Sequence, residues 1–170
     1  MPKWRIFDFH RYFLHVNEPI IQRLTWGYGT LKPRTLLLWD LENIPFGYFH
    51  QIRQKLRFAP ERAFIITKQN LSAKSIQKME RNGFEIFSQH SSDSDTKIKN
   101  IYKILSGYEE FIFVTSDTDF VGIGKKVLAQ KKPLTWVMRD RQKKGIVMKM
   151  NIANPLFKII TVHRDKELGG

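Results

Sequence analysis

The sequence predicts an α/β protein: a three-layer α/β/α sandwich around a central, mainly parallel sheet. Three observations carry that expectation. Short apolar runs recur at 35–39, 63–67, 84–87, 111–115 and 134–138. The intervals between them hold apolar residues at helical spacing. Strands that alternate with short helices build a parallel sheet covered on both faces.

Each element has its own reason. Thr35-Leu36-Leu37-Leu38-Trp39 is the first strand and ends at Asp40. Phe49, Ile52 and Leu56 share one face of a helix predicted near 47–57. Ala63-Phe64-Ile65-Ile66-Thr67 is the second strand, and a helix over 72–82 stops at Gly83. Phe84-Glu85-Ile86-Phe87 is the third strand. Ile98, Ile101, Tyr102 and Leu105 fall at i, i+3, i+4 and i+7, which predicts a helix from Ser94 to Ser106 ended by Gly107. Phe111 to Thr115 is the fourth strand, Thr118 to Gln130 a helix, and Leu134 to Met138 the fifth strand. Beyond 139 the regularity fades, and Ile146-Val147-Met148 and Phe157-Lys158-Ile159-Ile160 read as edge strands. The chain therefore divides into a basic, aromatic extension (1–34), a regular domain (35–140) and a basic C-terminal extension (141–170).

Composition narrows the partners. The 170 residues match one ordinary domain, and 29 Lys and Arg against 16 Asp and Glu give a formal net charge of +13. That balance favours a polyanion: nucleic acid first, an anionic membrane surface second. A merely soluble basic protein is the plain alternative. No cysteine is present, which excludes disulfides and thiolate metal sites and fits an intracellular, cytoplasmic life. No apolar run approaches the roughly 20 residues of a membrane span, so no membrane partner is expected. The N-terminal MPKWRIFDFHRYFLHV has no clean apolar segment or small-residue cleavage site. Its basic, aromatic character suits an organellar presequence, against which Asp8 and Glu18 argue.

The acids are the informative residues. Asp40 closes the first strand, Asp117 and Asp119 follow the fourth, Asp95 opens the helix after the third, and Asn43 lies three residues beyond Asp40. Ligands of a parallel α/β sheet sit at the carboxyl ends of its strands, where these groups should converge. Each has a plainer role: Ser94, Asp95, Asp117 or Thr118 as a helix cap, and Asn43 as a turn residue. Acids after three strands exceed what capping requires. Two carboxylates ~4 Å apart repel by about 4 kcal/mol at an effective dielectric of 20. Mg²⁺ or Mn²⁺, which favour hard oxygen ligands, turns that repulsion into binding. The histidines at 10, 15, 50, 90 and 163 show no ligand spacing. A basic surface that holds a phosphate backbone, with metal-binding acids inside it, is the polarity pattern of a phosphodiesterase.

WDLENIP (39–45), SDSDTKIKNIY (92–102) and FVTSDTDFVGIGKKV (113–127) resemble the NYN domain, a branch of the PIN-like ribonuclease superfamily. The resemblance covers 35–140, and Ser116-Asp117-Thr118-Asp119-Phe120 is its most specific part. It implies a PIN-like α/β/α sandwich that hydrolyses RNA with Mg²⁺ or Mn²⁺ and leaves a 5′-phosphate and a 3′-hydroxyl. It carries over Asp40, Asp95, Asp117 and Asp119 as metal-binding, catalytic acids, with Asn43 in support. Glu42 either joins them or faces solvent. Where the family often places another acid, this chain reads Lys97-Ile98-Lys99-Asn100, which implies one firmly held metal rather than two. The alternative is a non-catalytic RNA-binding or scaffold protein on the same fold.

Asp40-Leu41-Glu42-Asn43 lacks the Asp-x-Asp of haloacid-type phosphatases. Gly122-Ile123-Gly124-Lys125 lacks the glycine spacing of a phosphate loop and lies within a helix. Its glycines instead let that helix pack closely. The basic side chains expected against single-stranded or structured RNA are Lys97, Lys99, Lys125, Lys126, Arg139, Arg141, Lys143 and Lys144, and 139–144 is the densest run. The aromatic N-terminus is open to base stacking, core packing or subunit contact, within a homo-oligomer or a larger complex.

Overall fold

Leu36 and Leu38 of the first strand join one hydrophobic core, and Leu37 and Trp39 join another. This alternation makes the strand, β1 (Thr35–Asp40), the middle of three layers, because successive side chains leave a strand on opposite faces. The computed structural model describes residues 34–56, 60–88, 107–150 and 152–164. The expected N-terminal extension and the helix predicted over 94–106 lie outside the described residues, apart from Arg34.

The elements follow the predicted order. A short 3-10 turn (Phe46–Tyr48) leads into α1 (Phe49–Leu56), which buries Phe49, Ile52 and Leu56 as their spacing implies. Next come β2 (Arg62–Thr67), α2 (Ala73–Arg81) and β3 (Phe84–Ser88). The Ser72 hydroxyl caps α2 by accepting from the Ser75 amide, which fixes its start at the predicted place. Gly83 then turns the chain with φ 86°, a conformation that favours glycine. Further on are β4 (Glu110–Val114), a 3-10 turn (Thr118–Phe120), α3 (Val121–Ala129) and β5 (Leu134–Arg139).

One difference from the sequence reading follows β5. Ile146-Val147-Met148 is not an edge strand. It lies in a helix, α4 (Lys143–Lys149), entered through the 3-10 turn Asp140–Gln142. Packing overrides β-branched propensity there: Ile146 and Met150, four residues apart, reach the core on one side, while Met148 is exposed. The segment Phe157–Val162 is a strand, β6, as expected, and it pairs in parallel with β5. The sheet thus continues past residue 140.

All pairings are parallel, in the order β3-β2-β1-β4-β5-β6. α1 and α2 pack on one face, with Trp39, Ile65 and Phe84 beneath them. α3 and α4 pack on the other, over Leu38, Phe113 and Trp136. The result is the three-layer sandwich. Gly124 of α3 shows why a glycine stands there. A Cβ on it would come within 2.9 Å of Trp136 Cζ3 and 3.2 Å of Leu134 Cδ2, so its absence lets the helix approach the sheet.

The order sets the site. From β1 the chain adds strands to one side, through β2 to β3, and from β4 to the other, through β5 to β6. Carboxyl ends on either side of such a reversal leave a crevice between them, the usual ligand position of an open parallel sheet. Here it lies between the ends of β1 and β4.

Candidate active site at the β1–β4 switch point

Asp40 is the last residue of β1 and is 1% exposed. A carboxylate with so little access to water is costly to hold unless donors surround it. Two of them meet at one oxygen. Asn43 Nδ2 donates to Asp40 Oδ2 at 2.7 Å, and Thr115 Oγ1 donates to the same atom at 2.9 Å. Asn43 is brought back by the turn after β1, in which the Asn43 and Ile44 amides donate to the Asp40 carbonyl. The Trp39 indole donates to the Ile44 carbonyl at 2.7 Å and fixes the turn from below. Asn43 is therefore both the turn residue and the carboxylate's partner.

Thr115 ties the two strand ends together. Its amide donates to Val137 of β5, its carbonyl accepts from the buried Trp136 indole at 2.8 Å, and its hydroxyl accepts from the Asp117 amide at 3.0 Å while donating to Asp40. No freedom remains in this residue to reorient. The sequence reading took Thr115 as the tail of a strand and gave it no role. The available signal was its place two residues before Asp117, where a threonine hydroxyl accepts the i+2 amide in a local turn.

Asp117 follows in an extended conformation, and its Oδ1 accepts from the Asp119 amide at 2.9 Å. The capping role weighed for Asp117 is present, and it occupies one of the two carboxylate oxygens. Asp119 sits in the first turn of the Thr118–Phe120 segment and is exposed, and Phe120 anchors that turn in the core. Asp40, Asn43, Asp117 and Asp119 thus lie along the edge where β1 and β4 end, with Asp40 joined to the loop that carries the other two acids. Asp95, the remaining acid expected there, lies outside the described residues, as do Lys97 and Lys99.

Glu42 faces away from this group. Its Oε1 accepts from the Thr67 hydroxyl at 3.0 Å and from the Lys68 amide, and its Oε2 accepts from Gln69 Nε2 at 3.0 Å. The side chain ties the loop after β1 to the end of β2. Among the described residues, no three acidic or histidine side chains gather closely enough to hold a metal ion. The donors present are nonetheless hard carboxylate oxygens, the kind that Mg²⁺ and Mn²⁺ take.

Of the basic side chains, Lys125 and Lys126 are exposed in the middle of α3. The 139–144 run stands at the carboxyl edge: Arg139 ends β5, Arg141 is in the following turn, and Lys143 and Lys144 open α4. The Arg139 amide donates to Ser116 Oγ at 3.3 Å, so the run begins against the loop that carries Asp117. A Cβ on Gly145 would lie 3.6 Å from Thr118 Cγ2, which brings α4 to the same loop.

A solved structure of a protein of unknown function from Vibrio parahaemolyticus is similar to this chain. The TM-score is 0.52 at 14% identity, over 77% of this chain and 96% of that one. At that identity the likeness shows the fold alone. No family profile matches the chain, and no curated protein matches it. Among the described residues no helix is long and apolar enough to cross a membrane.

Proposed function

We propose that this protein is a metal-dependent ribonuclease of the NYN/PIN-like kind. The single observation that carries the reading is the buried Asp40 carboxylate at the β1–β4 switch point, hydrogen-bonded through Thr115 to the loop bearing Asp117 and Asp119. A water-poor carboxylate held in one orientation at the ligand-binding edge of a parallel sheet is better suited to chemistry than to stability.

In this reading Asp40, Asp117, Asp119 and Asp95 hold Mg²⁺ or Mn²⁺, which when bound supplies an activated water and neutralises charge on the phosphodiester. Asn43 and Thr115 fix the Asp40 carboxylate, and Asp119 orients from the exposed side of the loop. The basic run from Arg139 to Lys144 holds the RNA backbone without sequence choice and with strong salt dependence. An intracellular, cytoplasmic location goes with an RNA substrate. A non-catalytic RNA-binding or scaffold role is the second reading, favoured by Lys97 and Lys99 standing where the family often places an acid and by the basic flanks.

Labelled RNA incubated with Mn²⁺, with wild type beside Asp117→Asn, separates the two. Asparagine caps a turn as well as aspartate does, so the variant keeps its fold. Cleavage by wild type and its loss in the variant support the nuclease. Equal RNA loss in both points to a contaminant, and retention of RNA without cleavage favours the binder.

A further inference from the structure

Arg139 differs from the other basic residues of its run. Arg141, Lys143 and Lys144 are exposed, whereas Arg139 is half-buried with its guanidinium over the Tyr48 ring, 5.6 Å from the ring centre. Its Nε is sealed from solvent and has no hydrogen-bond partner among the described residues. The adjacent carboxylate, Asp140, lies 3.7 Å from His163 Nδ1 instead. The Arg139 backbone is fixed too, its amide donating to the Ser116 hydroxyl at the start of the acidic loop.

A guanidinium with a buried donor left unmatched carries an unfavourable desolvation term. An anion on its open edge offsets that term, because the charge is delocalised over the planar group. Stacking on Tyr48 removes much of the rotamer freedom that a free arginine loses on binding. A planar fork held against the Tyr48 ring beside the carboxyl ends of β4 and β5 matches the paired oxygens of a phosphodiester.

We propose that Arg139, stacked on Tyr48, is a preformed phosphate clamp that grips a backbone phosphate of a single-stranded nucleic acid and lays the strand across the β5–α4 side of the switch point. The clamp rests on the nuclease reading only for the identity of the polyanion. The other side of the switch point carries the exposed Glu42, in the loop after β1 and tied to the end of β2, which disfavours a phosphate there.

The test is binding of a labelled single-stranded RNA oligonucleotide in EDTA, where no metal-dependent cleavage occurs, by fluorescence anisotropy. Arg139→Lys keeps the charge and loses the fork and the stack, and binding is expected to weaken about tenfold. Tyr48→Leu is expected to weaken it several-fold, and Tyr48→Phe, which keeps the ring, to leave it near wild type. Thermal unfolding of each variant checks that the fold persists. Should Arg139→Lys bind RNA within about twofold of wild type, the arginine is merely structural and the clamp is wrong. The same preparations are then given Mn²⁺. Binding that depends on Arg139 without cleavage upholds the clamp and removes the nuclease. Cleavage with binding indifferent to Arg139 does the reverse, and wild type that binds no RNA removes both.

Discussion

Thr115→Val is the sharpest perturbation the site allows, because valine fills nearly the same volume and deletes only the hydroxyl. Thr115 is 1% exposed, so water does not replace what is lost. Asp40 Oδ2 loses a donor at 2.9 Å, and the Asp117 amide loses an acceptor at 3.0 Å. A hydrogen bond to a charged group contributes about 1.5–3 kcal/mol, and a backbone bond about 1 kcal/mol. Asp117 is only half-buried, so its amide recovers part of its share from solvent. The expected loss of stability is about 2–3 kcal/mol. For a chain of this size that lowers the unfolding midpoint by roughly 5–10 °C, measured by circular dichroism. If Asp40 holds metal as proposed, RNA cleavage in Mn²⁺ should fall about 10- to 100-fold at temperatures where the variant is fully folded, the usual effect of removing a group that orients a metal ligand. Thr115→Ser retains the hydroxyl and should recover most of both. A valine variant that melts within a degree of wild type would refute the claim that this hydroxyl holds Asp40 in place.

Two further outcomes concern the scaffold. Gly124→Ala places a methyl 2.9 Å from Trp136, a buried ring with nowhere to go, and 3.1 Å from the more yielding Met150 Cε. Overpacking should exceed the gain in helix propensity and give a net loss of about 1–2 kcal/mol in urea unfolding, whereas a stabilised variant would show that α3 moves freely over the sheet. Burial raises the Tyr108 phenol above its ordinary pKa of 10.0, with nearby Arg62 opposing the shift. The native chain keeps that proton where the unfolded chain has lost it, so its stabilising share is complete below pH 10 and is lost as pH rises further. Tyr108→Phe should flatten the alkaline decline of the unfolding midpoint, and an unchanged slope would remove Tyr108 from the account.

Much of the sandwich was legible because each strand is an apolar run with its own punctuation. Leu36 to Trp39 and Phe111 to Val114 have no polar interruption, as strands with two covered faces require. Ile146-Val147-Met148 misled because three apolar residues in a row fit either geometry. Only the burial of Ile146 with Met150 decides for a helix, and that depends on the far-off core it meets. Strand order left no mark on the sequence, so the convergence of Asp40 with the Asp117 loop rested on the general behaviour of parallel sheets. Asn43 and Asp117 were weighed as plain turn and cap residues, and both fill those roles while sitting in the site. Thr115 and Tyr48 stayed hidden because their importance lies in tertiary partners, a carboxylate and a guanidinium from other strands.

The bond between Asp40 and Thr115 joins residues 75 apart in the chain. During synthesis β1, β2 and β3 leave the ribosome first and can pair with one another, but the neighbour that completes the crevice has yet to be made. Long-range pairing of this kind is slow to form. A nascent or truncated chain ending before β4 would carry Asp40 without its partner loop, so the crevice is incomplete until both halves of the sheet have zipped together. If the proposed nuclease activity holds, that delay keeps an incomplete chain from cutting the RNA around it.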